Sequence, residues 1–332
     1  MSASPIIRAS APGRCGLVGN PTDGYGGAVI ASSLAERAEV ELRPAERFEL
    51  DICGHAETLA DPPDLTLRQS YTDVAKAVFT RFPAALDGPP FRLTATTQVP
   101  LEAGLSGSTC MMTAILGAVL RRLSDARSPY EIAETVRDIE FNIMECICGF
   151  QDQYMAVFGG LNYMDFRGKD PHAEPGVFAT VEPLADRLGE LPLVLANTGV
   201  RRHSGAVHRA PRERWIEGDR AVIEGYKRCA RLAQLGKVAL LAGDWERLGA
   251  LMNENHSIAR SLGGSGEANE RLIAVALEAG AWGAKLAGAG GGGTIIAAHP
   301  NPDALGRRLA EAGAVNILRV VPSAGLQVSG AW

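Results

Sequence analysis

The 332-residue chain has little cysteine, no long apolar run and no surplus of positive charge. Its six cysteines, at 15, 53, 110, 146, 148 and 229, form none of the paired spacings that mark zinc sites or a disulfide framework. Reduced thiols and a cytoplasmic location are therefore expected. No stretch approaches the roughly 20 apolar residues of a membrane span, and Met1 to Ser10 has no charged region leading into a long apolar one; no membrane partner is expected. The formal charge of −5 argues against general nucleic-acid binding, which needs excess Lys and Arg to neutralise phosphates. Repeats and low-complexity segments are missing too. What is present, 46% hydrophobic and 21% charged residues, is the composition of an ordered globular protein whose length suits two domains.

The most informative segment is Leu286-Ala287-Gly288-Ala289-Gly290-Gly291-Gly292-Gly293-Thr294, which runs into the apolar Ile295-Ile296-Ala297-Ala298. Backbone this bare permits close approach by a bulky polar ligand, a phosphate chain foremost, and the strand-like continuation separates it from a flexible linker. A second glycine-bearing loop, Pro100 to Thr109, lies between a strand at Phe91 to Val99 and a helix starting near Ser108 or Thr109. A helix N-terminus offers unpaired N–H groups and a positive dipole end to phosphate, and Ser106, Ser108 and Thr109 add hydroxyls for phosphate or Mg²⁺. The Gly-Lys-Ser/Thr ending of a P-loop is absent, and the late tract does not match the dinucleotide fingerprint.

Other elements follow from periodicity. Strands are expected at Ile6 to Ala11, Val29 to Leu34, Ala38 to Arg43, Phe48 to Asp51, Leu161 to Phe166, Leu191 to Ala196 and Asn316 to Val321. Helices are expected at Thr72 to Phe82, from the capping box Ser128-Pro129-Tyr130-Glu131 onward, and near 221–242, 245–262, 267–279 and 302–312. Gly149 to Gln153 reads as a loop. Without strict βαβ alternation the mixture favours α+β layers, with a boundary in the proline-bearing segment Lys169 to Gly176.

The segment Ala11 to Gly27 carries Arg14 and Asp23 in small, apolar surroundings, as either functional or ordinary loop charges. Glu140 flanks the buried face of its helix, where an acid needs a partner; it is the candidate for Mg²⁺, with Glu145 as fallback and a surface pairing with Arg137 as the plain alternative. Arg201, Arg202, Arg209, Arg212 and Arg214, with His203 and His208, could hold a carboxylate or phosphate or form a solvated loop. His256 reads as a hydrogen-bonded helix residue.

Together, the Pro12-Gly13-Arg14 segment, the Pro100-x-x-x-Gly104-Leu105 loop and the late glycine tract resemble the GHMP family, the galactokinase, homoserine kinase, mevalonate kinase and phosphomevalonate kinase superfamily, over nearly the whole chain. Gly19 to Tyr25, Leu105-Ser106-Gly107-Ser108 and Val207-His208 with Arg212-Glu213-Arg214-Trp215 look like glucuronokinases of the plant type. Gln151-Asp152-Gln153-Tyr154 with Phe158 to Tyr163 is similar to glycero-manno-heptose 7-phosphate kinases, and Asn253 to His256 with Gly283 to Leu286 looks like mevalonate kinases. Galactokinases carry Glu-His where this chain has Asn20-Pro21, which removes a carboxylate that would grip sugar hydroxyls and argues against galactose as acceptor; the Ser106-Gly107 order inverts the commoner Gly-Ser.

The resemblance implies a two-domain α+β GHMP kinase fold: a ribosomal S5 domain 2-like domain over 1–175 with the ATP and catalytic loops, and a ferredoxin-like domain over 176–332 with the substrate lid and glycine-rich loop. It implies ATP and Mg²⁺ as cofactors, a small-molecule sugar or sugar-acid partner, and a monomer or homodimer. Asp152 would accept the proton of the anomeric hydroxyl, with Arg14 beside it. Gly104, Leu105, Ser106, Gly107, Ser108, Thr109, Gly288, Gly290 and Gly291 would bind ATP phosphates, and Ser108 with Glu140 the metal. Asn20, Asp23, Tyr25, Gln151, Tyr163 and Arg201 would meet the acceptor, for which a uronic acid such as glucuronate is favoured over a heptose 7-phosphate. A sugar-sensing regulator of the same fold that no longer catalyses is the rival of another class.

Overall fold

Two long strands organise the N-terminal half. β1 (Ile6–Val18) and β2 (Ala28–Pro44) pair antiparallel from Ile7↔Leu42 to Val18↔Ile30. At the far end they alternate, with Ile7, Ala9 and Ala11 buried and Arg8 exposed, as a sheet covered on one face must. At the near end Cys15, Leu17, Val18 and Val29 to Ala31 are all buried, because helices cover both faces there. The computed structural model describes residues 5–170, 176–184, 189–200, 204–288 and 290–332, and the backbone alone for 204–209.

Further strands are β3 (Glu49–Ile52), β4 (His55–Thr58), β5 (Phe91–Thr97), β6 (Leu161–Asp165), β7 (Thr180–Pro183) and, from the far C-terminus, β12 (Gln327–Ala331). Among the described residues they form an eight-stranded sheet in the order β12-β1-β2-β5-β3-β4, with β6 joining β2 to β7. The β3–β5 pair is parallel and the other pairs are antiparallel. Helices α1 (Asp73–Arg81), α2 (Gly107–Leu123), α3 (Pro129–Asp138) and α4 (Gln151–Phe158) complete this half, with a π-helical turn at Ile139–Ile143.

Next come α5 (Ser204–Ile216), α6 (Arg220–Leu241), α7 (Trp245–Ser261), α8 (Glu267–Glu278) and α9 (Pro302–Glu311). The second sheet has the antiparallel order β11 (Asn316–Arg319), β8 (Leu193–Asn197), β10 (Thr294–Ala298), β9 (Gly283–Leu286). The apolar run after the glycine tract is explained by a sheet buried on both faces. Ile295 and Ala297 pack with Leu272, Ile273 and Leu305 of α8 and α9, while Ile296 and Ala298 join the main core.

Several elements differ from the sequence expectation. β1 runs on through Pro12 and Arg14, with a bulge between them, and the two strands expected at 29–43 are one. Gly149 to Gln153 is half helix: α4 starts at Gln151. β7 and β12 both lie beyond the expected division at 175, yet both add to the N-terminal sheet, because β6 and the free edge of β1 supply the backbone partners they need. Most of the proline-bearing boundary, 171–175, lies outside the described residues. Among the described residues no helix is long and apolar enough to cross a membrane.

Candidate active site

Close backbone approach brings the glycine-bearing loop Pro100 to Thr109 onto β1. A Cβ on Gly13 would meet Val99 at 2.9 Å and the Leu105 carbonyl at 3.0 Å, so only glycine lets the Arg14 N–H reach Leu105 O at 3.1 Å. The Arg14 side chain then spans the loop and α4. Its Nη1 donates to Gly104 O (2.7 Å), while Nε and Nη2 donate to Asp152 Oδ1 (2.7 Å) and Oδ2 (2.8 Å). Nη2 also lies 2.6 Å from Oδ1, so the guanidinium clasps the carboxylate through both oxygens. Arg14 is buried and Asp152 stays partly open to a cleft of about 420 Å³.

Asp152 is aimed by a cap. Asp23 is buried and its Oδ2 accepts the N–H groups of Phe150 (2.7 Å) and Gln151 (2.9 Å), the first donors of α4. A Cβ on Gly149 would stand 1.9 Å from that oxygen, which explains the glycine. Asp23→Ala is expected to cost about 1–2 kcal/mol of stability by removing the cap. It should also lower kcat with little change in the KM for ATP, because the helix that carries Asp152 loses its anchor. Denaturant unfolding beside steady-state kinetics checks both.

Across the cleft, α2 begins at Gly107 after Ser106 in the left-handed region, φ 65°. Its first main-chain bond runs from Cys110 N to Ser106 O (2.9 Å), leaving the N–H groups of Gly107, Ser108 and Thr109 ahead of it. The Ser106 hydroxyl is buried without a partner among the described residues, and so is Gln151 Oε1; both residues border the cleft. Glu140, on the π-helical turn, is buried and accepts from Thr109 Oγ1 (2.8 Å) and from the Gln153 amide. Desolvation pushes its carboxyl up to about 7 despite those two bonds, and the Asp152 charge adds to the shift. The surface pairing with Arg137 is not what forms: Arg137 donates to Gly149 O (2.8 Å) and lies over Phe141 and Phe150. Glu145 is exposed.

The hydroxyl on Glu140 is that of Thr109, whereas Ser108, the exposed residue of that turn, borders the cleft without touching the acid. Neighbouring residues sit about 100° apart on a helix, so one position alone can face the acid. Asn20 borders the cleft, but its side chain is engaged: Nδ2 donates to Gly288 O (3.2 Å) and Oδ1 accepts from Lys285 (2.8 Å).

Other expected residues stand elsewhere. Tyr25 packs on Tyr226 and Trp215, with ring centroids 4.6 and 5.6 Å away. Tyr163 lies within the sheet, its ring under Lys237. Leu105 is core, contributing its carbonyl. Of the late tract, Gly288 borders the cleft. Gly290 and Gly291 pack on backbone: a Cβ on Gly290 would meet Gly264 O at 1.6 Å, and Gly291 N donates to the same oxygen (3.1 Å). Arg201, with Arg202 and His203, lies outside the described residues. Cys146, Cys148 and Lys285 were not anticipated; the first two border the cleft. His256 accepts or donates at Glu270 (2.9 Å), as a helix residue.

A helix N-terminus, a buried acid and an Arg-held carboxylate thus face one cleft, lined by the N-terminal half and by Gly288 of the second. The GHMP kinases N terminal domain matches residues 70–160 and the GHMP kinases C terminal domain residues 237–315. The chain belongs to the GHMP kinase family, ATP-dependent phosphotransferases acting on alcohol groups. It is 28% identical to glucuronokinase 1 of Arabidopsis thaliana over 84% of this chain and 81% of that one. It is 31% identical to the mevalonate kinase of Pyrococcus horikoshii over 95% and 94%. The solved structure of a D-glycero-D-manno-heptose 1-phosphate kinase from Bacteriodes thetaiotaomicron superposes with a TM-score of 0.74 at 23% identity, over 98% and 99% of the two chains, and shares the fold.

Proposed function

We propose that this kinase transfers the γ-phosphoryl group of ATP to the anomeric hydroxyl of a uronic acid such as glucuronate, giving the sugar 1-phosphate. The observation that carries the reading is the bidentate Arg14–Asp152 pair facing the N-terminus of α2 across the cleft. Asp152 takes the hydroxyl proton as the oxygen attacks phosphorus, and the bond to the bridging oxygen of ADP breaks on the opposite side. The N–H groups at Gly107 to Thr109 and the Ser106 hydroxyl receive phosphate oxygens, which gives that orphaned hydroxyl an acceptor. Gln151 Oε1, also orphaned, accepts from a hydroxyl of the acceptor.

Glu140 with Thr109 or Ser108 would hold Mg²⁺, a cation that takes one or two carboxylates plus substrate phosphates and spreads their charge when bound. A buried acid already hydrogen-bonded to a hydroxyl fits that requirement.

A second reading, mevalonate as acceptor, is favoured by the 31% identity to a mevalonate kinase along nearly the full chain. ADP release should be measured with glucuronate, mevalonate, a heptose 7-phosphate and galactose, and the new phosphate located by NMR. The expected result is fastest turnover on the uronate with phosphate on the anomeric oxygen. Turnover confined to mevalonate or to the heptose phosphate would replace the acceptor, and sugar binding without ADP release would revive the regulator.

A further inference from the structure

Lys285 stands inside β9 with 1% of its surface exposed. Its ammonium donates to Asn20 Oδ1 (2.8 Å), to Gly16 O (3.4 Å) and to the carbonyl of Leu286. All three acceptors are neutral, and among the described residues no carboxylate pairs with it. A buried cation without a counter-charge is costly, and desolvation pushes this amine down to about 7.

The ionisable groups around it do not compensate. Arg14 on β1 is a like charge. Cys15 on β1 and Cys229 on α6 are thiols pushed up to about 12 by burial, hence neutral. His256 on α7 is pushed down by burial, and the lysine's own charge acts in the same direction.

The lysine nonetheless sits at a mechanical junction. Two of its acceptors belong to the N-terminal half, while it belongs to the second sheet. Gly16 N donates to Ala287 O (2.9 Å) and Asn20 Nδ2 to Gly288 O (3.2 Å), so the same two residues that hold Lys285 also hold the start of the glycine tract. A cavity of about 30 Å³, room for roughly one water, adjoins Lys285, Asn20, His256 and Gly288. Asn20 and Gly288 border the large cleft as well.

We infer that Lys285 is a positioning residue whose missing counter-charge is the phosphate chain of the nucleotide: bound nucleotide keeps it protonated, and the protonated lysine locks Asn20 and the Gly288 turn across the seam between the sheets. The inference rests on the reading of the cleft as the nucleotide site. It makes nucleotide binding proton-linked, strong where the lysine is charged and weaker as pH rises above about 7.

The test is calorimetry of ADP binding to the full chain between about pH 7 and pH 8.5, in two buffers of different ionisation enthalpy. The wild type should take up part of a proton near pH 8 and lose about tenfold in affinity over that range. Lys285→Met should bind weakly at both pH values with the proton uptake gone. Lys285→Arg, charged throughout, should hold its affinity at the higher pH. Melting temperatures report whether each variant folds; if neither does, proton uptake by the wild type decides. Failure of the wild type to bind ADP would remove the site reading itself. Binding with no proton uptake, or the same pH-dependent loss in the arginine or methionine variant, would overturn the role of Lys285 and leave the site intact.

Discussion

Asp152→Asn is expected to lower kcat by about 10²- to 10⁴-fold, the range for removal of a positioned general base, while ADP still binds. The two effects separate because of how the pair is built. The amide matches the carboxylate in shape and its oxygen still accepts from Arg14, while the bond to the second oxygen is lost to an NH₂ group; Arg14 keeps its bond to Gly104 O. The loop that carries the α2 N-terminus therefore stays in place. The main change is charge: one negative group leaves the cleft and the guanidinium loses its counter-charge, so ADP should bind as well as before or more tightly. The proton of the attacking hydroxyl, in contrast, has lost its acceptor. Single-turnover phosphoryl transfer and ADP titration on the same preparation check both halves. Unchanged transfer would strip Asp152 of the role, and loss of ADP binding would make it a structural partner of Arg14.

That pair shows what the sequence could and could not convey. Arg14 and Asp152 are 138 residues apart, and nothing in the periodicity around either one joins them; the resemblance to sugar kinases pointed to both, and the structure supplies the contact. The glycine-flanked loop at Gly104 to Thr109 was legible as a turn into a helix because glycines and hydroxyl residues mark a helix start, a local requirement. Alternation and capping likewise placed most strands and helices. The failures were of other kinds. α4 is eight residues long and apolar on several faces, so it presents no stripe, and its cap comes from Asp23, which is distant in sequence. β12 is largely exposed and pairs along an edge, leaving little apolar pattern to read. Gly290 has a packing reason to be glycine, the approach of Gly264, which bare composition does not reveal. Lys285 had a weak signal available: a lysine inside a short apolar segment, next to small residues, without a nearby acid in sequence.

Glu140→Gln is expected to act in opposite directions on stability and activity. The folded carboxyl titrates at about 7 against an ordinary 4.5, so the folded state binds more protons than the unfolded one between those values. Its advantage is fully present below about pH 4.5 and is lost as pH rises through 7, by at most about 3 kcal/mol for this group. Glutamine has the same shape and no charge to desolvate. Its amide can be accommodated, because the Thr109 hydroxyl can turn to accept and Gln153 Oε1 is a buried acceptor without a partner. Without divalent cation the variant should therefore exceed the wild type in stability at about pH 8, with the difference vanishing below about pH 4.5. Its kcat/KM should nonetheless fall by about 10²- to 10³-fold, since an amide is a poor ligand for Mg²⁺. Urea unfolding at both pH values, with and without Mg²⁺, reads the first effect, and Mg²⁺-dependent turnover reads the second. In the wild type, Mg²⁺ with nucleotide should cancel most of the pH-dependent loss by giving the acid its counter-charge. A variant less stable than the wild type at the higher pH would mean that the carboxylate is needed for packing and hydrogen bonding. A variant with undiminished turnover would move the metal to another group.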